Sequence, residues 1–319
     1  MSQVVVTGAG GFIGAEVCRR LLADGHGVRA VVRARPVSVD VVAQAGMTVR
    51  AVADLMDHGV DESLFADANA VVHLAARVHR VGEVTAATDD LYLRENTELT
   101  RRLAETAARA GVRRFVFMSS VKAIGERSPA GGLRRAAEPR PADAYGRSKL
   151  AAERALAEVG ARTGLEVVVI RPPLVYGPAV GANFRQLVRV VARGIPLPFA
   201  AVANRRSVAS VWNVAEFVGR CLGPMPSAYE ILHVADDRPV STPELIRLIA
   251  VGLDVPARLF SLPPAVLALM LRMAGRSELV DRLLASLELD TSQSYAVLGW
   301  KPRLGVEFGV VRAVREMTQ

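Results

Sequence analysis

The 319-residue sequence is poor in cysteine, lysine, histidine and aromatic residues. Its two cysteines, Cys18 and Cys221, lie far apart in helix-like stretches. That excludes a disulfide scaffold, and no metal-ligand spacing is present, so buried reduced thiols are expected. No apolar run approaches the roughly 20 residues that cross a bilayer. The longest, residues 262–273, contains Arg272 and reads as a buried or amphipathic helix. The chain opens directly on a strand-like run at residues 3–6, without the basic start and apolar segment of a signal peptide, so a cytoplasmic location is expected. The formal net charge of +8 is spread over scattered arginines. No basic patch interleaved with aromatics occurs, so no nucleic-acid partner is expected.

Lysine is the most informative shortage. Of 40 lysine-plus-arginine positions only Lys122, Lys149 and Lys301 are lysine. A chain that writes arginine almost everywhere uses a compact ammonium where the planar fork does not serve.

What is present is alternation. Apolar strand-like runs at residues 4–6, 28–32, 48–52, 70–74, 115–118 and 167–170 are separated by helical patterns, notably 12–23, 91–110 and 144–162. Strands this apolar are buried on both faces, which predicts an α/β, doubly wound parallel sheet. After Arg171 the chain changes character. Prolines punctuate a looser region, a short helix is expected near 183–193 and a strand near 208–211, and helices follow to the end. The expected organisation is a cofactor domain over 1–172 plus about 206–232, with a smaller, mostly helical C-terminal lobe over 173–205 and 233–319.

The first strand runs into Thr7-Gly8-Ala9-Gly10-Gly11-Phe12-Ile13-Gly14 and then a helix. Such a turn lets the backbone approach a pyrophosphate, and the helix N-terminus offers N–H groups to the anion. Gly8, Gly11, Phe12, Ile13 and Gly14 are therefore expected to hold a dinucleotide. At the end of the second strand an acidic residue would accept the ribose hydroxyls of NAD, whereas arginine would pair with the 2′-phosphate of NADP. The sequence has Arg33 and Arg35 there, so NAD(P) is expected with a lean towards NADP(H). Asp54 and Leu55 follow the third strand, facing adenine. Leu74, Ala75 and Ala76 end the fourth, where small residues let the cofactor pass.

Tyr145-Gly146-Arg147-Ser148-Lys149 opens a helix, with Tyr145 and Lys149 four apart on one face. A phenol is a poor base near neutral pH, and a nearby ammonium favours the phenolate. Ser119 and Ser120 end the preceding strand, where sites in such sheets are built. Ser120, Tyr145 and Lys149 are the expected catalytic set, with Ser120 and Tyr145 also binding the substrate oxygen.

Taken together, the TGAGGFIG turn, VVHLAA, FVFMSS, YGRSK, the run from Arg171 to Pro178 and the Leu298-Gly299-Trp300-Lys301-Pro302 segment resemble extended short-chain dehydrogenases/reductases of the nucleotide-sugar epimerase/dehydratase group. The resemblance implies a Rossmann sheet and a nucleotide sugar, UDP-linked, bound between the lobes. It places Asn96 and Pro172 near the cofactor. It puts Asn183 and Phe184 near the sugar or diphosphate, with Arg206 and, less firmly, Arg282 on the diphosphate. It also implies a homodimer paired as a four-helix bundle through helices 91–110 and 144–162. Some relatives use lipid-linked substrates, which makes a lipid-facing role for 262–273 a minority alternative.

Where sugar 4,6-dehydratases of this group carry Thr-Asp-Glu, this chain has Ser120-Val121-Lys122, so simple dehydration is disfavoured. The scarcity of lysine places Lys122 in the substrate pocket. The leading expectation is reduction of a 4-keto sugar nucleotide, with Tyr145 as proton donor, in polysaccharide precursor synthesis. The alternative is a UDP-hexose or UDP-N-acetylhexosamine 4-epimerase using the same residues. A non-catalytic dinucleotide sensor is the third reading, disfavoured by the Ser120, Tyr145 and Lys149 set.

Overall fold

The computed structural model describes residues 2–33, 46–52, 55–56, 60–77 and 86–318. Seven parallel strands form one sheet: β1 (Gln3–Thr7), β2 (Gly27–Val32), β3 (Met47–Ala51), β4 (Ala68–His73), β5 (Arg114–Met118), β6 (Glu166–Arg171) and β9 (Tyr229–His233). Their order, β3-β2-β1-β4-β5-β6-β9, reverses beside β1, so the crevice expected of a doubly wound sheet opens above β1 and β4. The valines of β1 are fully buried. This explains why these strands read as unbroken apolar runs: both sheet faces are covered by helices.

The covering helices show why the pattern folds this way. α1 (Phe12–Ala23) buries Gly14, Val17, Cys18 and Leu21, one stripe along a helix, against the sheet. α6 (Val211–Arg220) packs on the same face, contributing Val214, Phe217 and Val218. The opposite face carries α3 (Leu99–Arg109) and α4 (Ala144–Thr163). Asp143 caps α4, its Oδ1 accepting the Gly146 N–H at 2.7 Å, and Gly164 ends it at φ +77°.

Two expectations needed revision. The helix expected at 91–110 begins earlier and is not regular throughout. α2 (Ala86–Tyr92) passes into a π-helical turn at Leu93–Glu98 before α3 begins. The wider turn carries Asn96 inward, where it is 1% exposed. The six expected strands omitted β9, whose burial pattern is graded along its length. Its place is set by parallel pairing with β6 from Val167–Tyr229 to Arg171–His233.

Beyond the sheet, β7 (Leu174–Tyr176) and β8 (Val208–Ser210) make a separate parallel pair. The C-terminal core gathers α5 (Ala182–Ala192), α7 (Thr242–Leu253), α8 (Pro264–Met273), α9 (Ser277–Leu284) and α11 (Val306–Thr318), with Tyr176, Phe184, Ile246 and Val310 inside. Tyr295, on α10 (Ser292–Leu298), and Trp300 pack with Phe217 in the sheet's own core instead. Trp300 is thus a packing residue, as is Trp212, whose ring lies 4.0 Å from the Arg312 guanidinium.

Candidate active site

One cleft of about 1850 Å³ runs from the glycine turn, past the end of β5, to the C-terminal lobe. It is roughly twice the size of the largest ordinary small-ligand pockets, at about 1,000 Å³, which suits two ligands end to end.

At the sheet end, Gly8, Gly10, Gly11, Phe12, Ile13 and Gly14 line the cleft, as do Arg33, Leu55, Leu74, Ala75 and Ala76. Gly8 takes φ +72°, and a Cβ there would meet the Ala75 nitrogen at 2.7 Å. A Cβ on Gly14 would stand 2.1 Å from the Gly8 carbonyl oxygen. These two glycines are required by the fold of the turn itself, before any ligand is considered. Gly11 begins α1 with no side-chain cap, so the first-turn N–H groups face the cleft without a side-chain acceptor. An uncapped helix end, flat glycine backbone and an exposed Arg33 at the end of β2 fit a dinucleotide. Arg35 and Asp54 lie outside the described residues.

At the middle of the cleft stand Ser120 and Tyr145. Ser120 follows β5, and a 3₁₀ turn at Val121–Ala123 starts from it, its Oγ accepting the Lys122 N–H at 3.2 Å. Ser120 stands close enough to the Tyr145 hydroxyl to favour its ionised form. Burial pushes the Tyr145 hydroxyl up to about 12, against the lowering pull of Ser120. Lys149 sits one turn behind, 2% exposed, and does not line the cleft. Its Nζ donates to the Met118 carbonyl at 2.8 Å and lies 4.6 Å from the Phe117 ring centre and 5.9 Å from that of Tyr145. Burial lowers Lys149 to about 7, with the Glu153 carboxylate pulling it back up. The expected Coulomb activation of Tyr145 by Lys149 is therefore outweighed by desolvation of both groups, and further positive charge is needed to favour the phenolate.

Glu153 continues the same helix face, one turn beyond Lys149, and pairs with Arg171 at the end of β6; both side chains are 3% exposed. Ser119 donates to the same carboxylate. This buried triad ties α4 to the ends of β5 and β6, which carry the site. The spacing of Glu153 from Tyr145 and Lys149 was visible in the sequence; its partner Arg171 was not.

Two further expected cofactor residues lie behind the wall. The Asn96 side chain accepts the Arg77 N–H and donates to the Arg77 carbonyl and to Ser148 Oγ, clamping the strand-end loop against α4. Pro172 does not line the cleft, Pro173 does, and the Pro172 carbonyl accepts the Val121 N–H. Close packing of β5 and β6 directs these groups inward.

At the lobe end the cleft is lined by Lys122, Glu126, Phe184, Arg206, Asp281 and Arg282. Lys122 Nζ lies 2.6 Å from Glu126 Oε1 and 2.6 Å from Asp143 Oδ2. Arg206 donates to the carbonyls of Asp281 at 2.9 Å and Ala285 at 2.8 Å, which aims it from β8's approach towards α9. Phe184 stacks on Tyr176 and is 2% exposed. Asn183 belongs to the first turn of α5. Glu126 and Asp143 were missed by sequence reasoning, though Asp143 carried a cap signal before a helical run and Glu126 stands four after Lys122.

Comparison with known proteins meets this geometry directly. Residues 4–218 match the NAD dependent epimerase/dehydratase family. The chain belongs to that family. As a member it is an NAD-dependent-type enzyme of the extended short-chain dehydrogenase/reductase group with a Rossmann sheet. It is 35% identical over 320 residues to the UDP-glucose 4-epimerase of Vibrio cholerae, covering 99% of this chain and 96% of that one. It is 31% identical over 312 residues to the 3-diazoavenalumate denitrifying reductase of a Streptomyces species, covering 94% and 96%. Among solved structures it superimposes on MoeE5 in complex with UDP-glucuronic acid and NAD, with TM-score 0.80, 26% identity and 99% of both chains covered. No helix among the described residues is long and apolar enough to cross a membrane.

Proposed function

We propose that the protein is a 4-epimerase of a UDP-linked hexose, a reading carried by Ser120 and Tyr145 lining one continuous cleft together with the glycine turn and with Phe184, Arg206 and Arg282. The full-length similarity to a UDP-glucose 4-epimerase supports it over the one-way reductase that the sequence had put first. Gly8, Gly11, Phe12, Ile13, Leu55 and Leu74–Ala76 hold the dinucleotide on one side. Phe184, Arg206 and Arg282 hold the nucleotide sugar on the other, with the arginines on its diphosphate. NAD, when bound, supplies a hydride acceptor and, in its oxidised form, positive charge that helps the Tyr145 phenolate form. Tyr145 takes the proton of the sugar C4 hydroxyl and later returns it to the 4-keto oxygen. Ser120 holds that oxygen by sharing a hydrogen bond with it and with Tyr145. Lys149 holds its Nζ one helical turn behind the phenol, anchored by the Met118 carbonyl, where a phenolate would favour its charged form. Lys122, gripped by Glu126 and Asp143, braces the N-cap of the helix that carries Tyr145.

Arg33 favours a second reading. It is exposed, directly follows β2 and lines the cleft, where a 2′-phosphate would be paired. An NADPH-dependent 4-keto reductase draws net reducing power, whereas an epimerase regenerates its own NAD. One experiment separates them. Formation of the C4 epimer from UDP-glucose with no net change in reduced-cofactor absorbance is the expected outcome. Stoichiometric NADPH oxidation with 4-keto sugar nucleotides, and no epimer from UDP-hexoses, overturns the epimerase reading.

A further inference from the structure

We infer that residues 258–276 form a docking surface for an anionic lipid bilayer. The core of this surface is α8, which is apolar on two sides. Leu267, 5% exposed, and Leu271 pack into the C-terminal core. Val266, Leu269, Met270 and Met273 face away from it at 43%, 56%, 53% and 76% exposure. Phe260, just ahead of the helix, is 48% exposed. These five are nearly half of the eleven exposed large hydrophobics among the described residues. Ile195, 45% exposed, extends the patch, because Leu197 and residues 258–260 are joined by backbone hydrogen bonds. Soluble monomers scatter such residues singly, and a gathered patch marks a contact surface.

Charge identifies the partner. Arg258, Arg272 and Arg276 are exposed within the same segment, and no aspartate or glutamate occurs between residues 255 and 277. Apolar side chains flanked within the segment by three cations, with the exposed Asp254 and Glu278 standing only at its two ends, match the acyl boundary and anionic headgroups of a bilayer surface. A self-complementary contact with a second copy would bring like charges together around the two-fold axis. α8 has 10 residues, too short to span, so it would lie in the interface plane. α9 follows directly, and its Leu279, Arg282 and Leu283 line the cleft, as does Leu197. Docking therefore places the lobe end of the cleft at the lipid surface.

The test is co-sedimentation of the intact protein with phosphatidylcholine vesicles, with and without phosphatidylglycerol. Binding to the phosphatidylglycerol vesicles, weakened by added salt, is expected. The double variant Leu269→Ser/Met273→Ser should lower partition by about tenfold or more. Arg272→Glu/Arg276→Glu should lower it by at least about twentyfold at low salt, at roughly fivefold per removed cation. Both variants should keep the wild-type circular dichroism and cofactor binding. If the wild-type protein stays in the supernatant at low salt, the inference fails. It fails equally if light scattering shows that Leu269→Ser/Met273→Ser splits a dimer that never bound vesicles, for then a second copy covers the patch.

Discussion

Acidifying the solution from about pH 7 to about pH 5 should cost the fold several kilocalories, because two buried histidines refuse a proton there. His73 is fully buried on β4 between Thr7 and Thr100. Thr100 donates its hydroxyl proton to the Asn96 carbonyl, so His73 Nε2 is the donor towards Thr100 and Nδ1 accepts from Thr7. A charged imidazole would have to donate at both nitrogens. Desolvation, with the Lys149 charge adding to it, lowers His73 from 6.5 to about 3. Desolvation, with help from Arg171, lowers His233 to about 4. Both folded values lie below the unfolded value, so from about pH 6.5 downwards the unfolded chain binds protons that the folded chain does not, and stability falls as pH falls. At about pH 5 this amounts to roughly 2 kcal/mol for each histidine. Asp236 acts in the opposite direction. Burial raises it to about 6, so the folded chain gains a proton first and recovers about 1 kcal/mol over the same interval. The net loss is about 3 kcal/mol. Urea denaturation at the two pH values measures it, and His73→Gln, a neutral partner for both threonines, should remove about two-thirds of the net loss. Equal stability at the two pH values, or higher stability at the lower one, would refute the reasoning.

Other outcomes follow from single contacts. Glu153→Ala leaves the Arg171 guanidinium buried without its carboxylate and should destabilise by about 3–5 kcal/mol, whereas Glu153→Met/Arg171→Met should be near neutral by thermal or urea denaturation. Equal losses for the single and double variants would show that the triad is not an ion pair in energetic terms. Gly14→Ala drives a Cβ into the Gly8 carbonyl and should abolish dinucleotide binding, read by fluorescence titration; retained affinity would mean that the turn can move apart. Lys122→Met removes the cation shared by Glu126 and Asp143 and should lower turnover by about tenfold or more while leaving cofactor affinity unchanged, and full turnover would remove Lys122 from the site. Asn96→Ala removes the side chain that accepts from the Arg77 N–H and donates to its carbonyl, and should cost about 1–3 kcal/mol by urea denaturation, with a smaller loss showing that other contacts or water take over.

The sequence by itself determined the parts that repeat locally. Strands buried on both faces must be apolar along their whole length, which made the sheet legible, and a tight strand-to-helix turn has few residue choices, which made the glycine run legible. Helical periodicity alone put Tyr145 and Lys149 on one face, and the three-lysine economy singled out Lys122. Tertiary structure decided what depends on long-range pairing. β9 lacked a uniform apolar pattern and took its place only by pairing with β6. Asn96 and Pro172 turned out to shape the wall behind the cleft because the π-helical turn and the β5–β6 contact direct them inward. Arg171 found Glu153, and Lys122 found Asp143, across distances that no local pattern encodes. The titration of Tyr145 and Lys149 was decided in the same way. Residue types predicted an ammonium that activates a phenol, but burial depth is a property of the packed molecule, and it moves both groups towards their neutral forms.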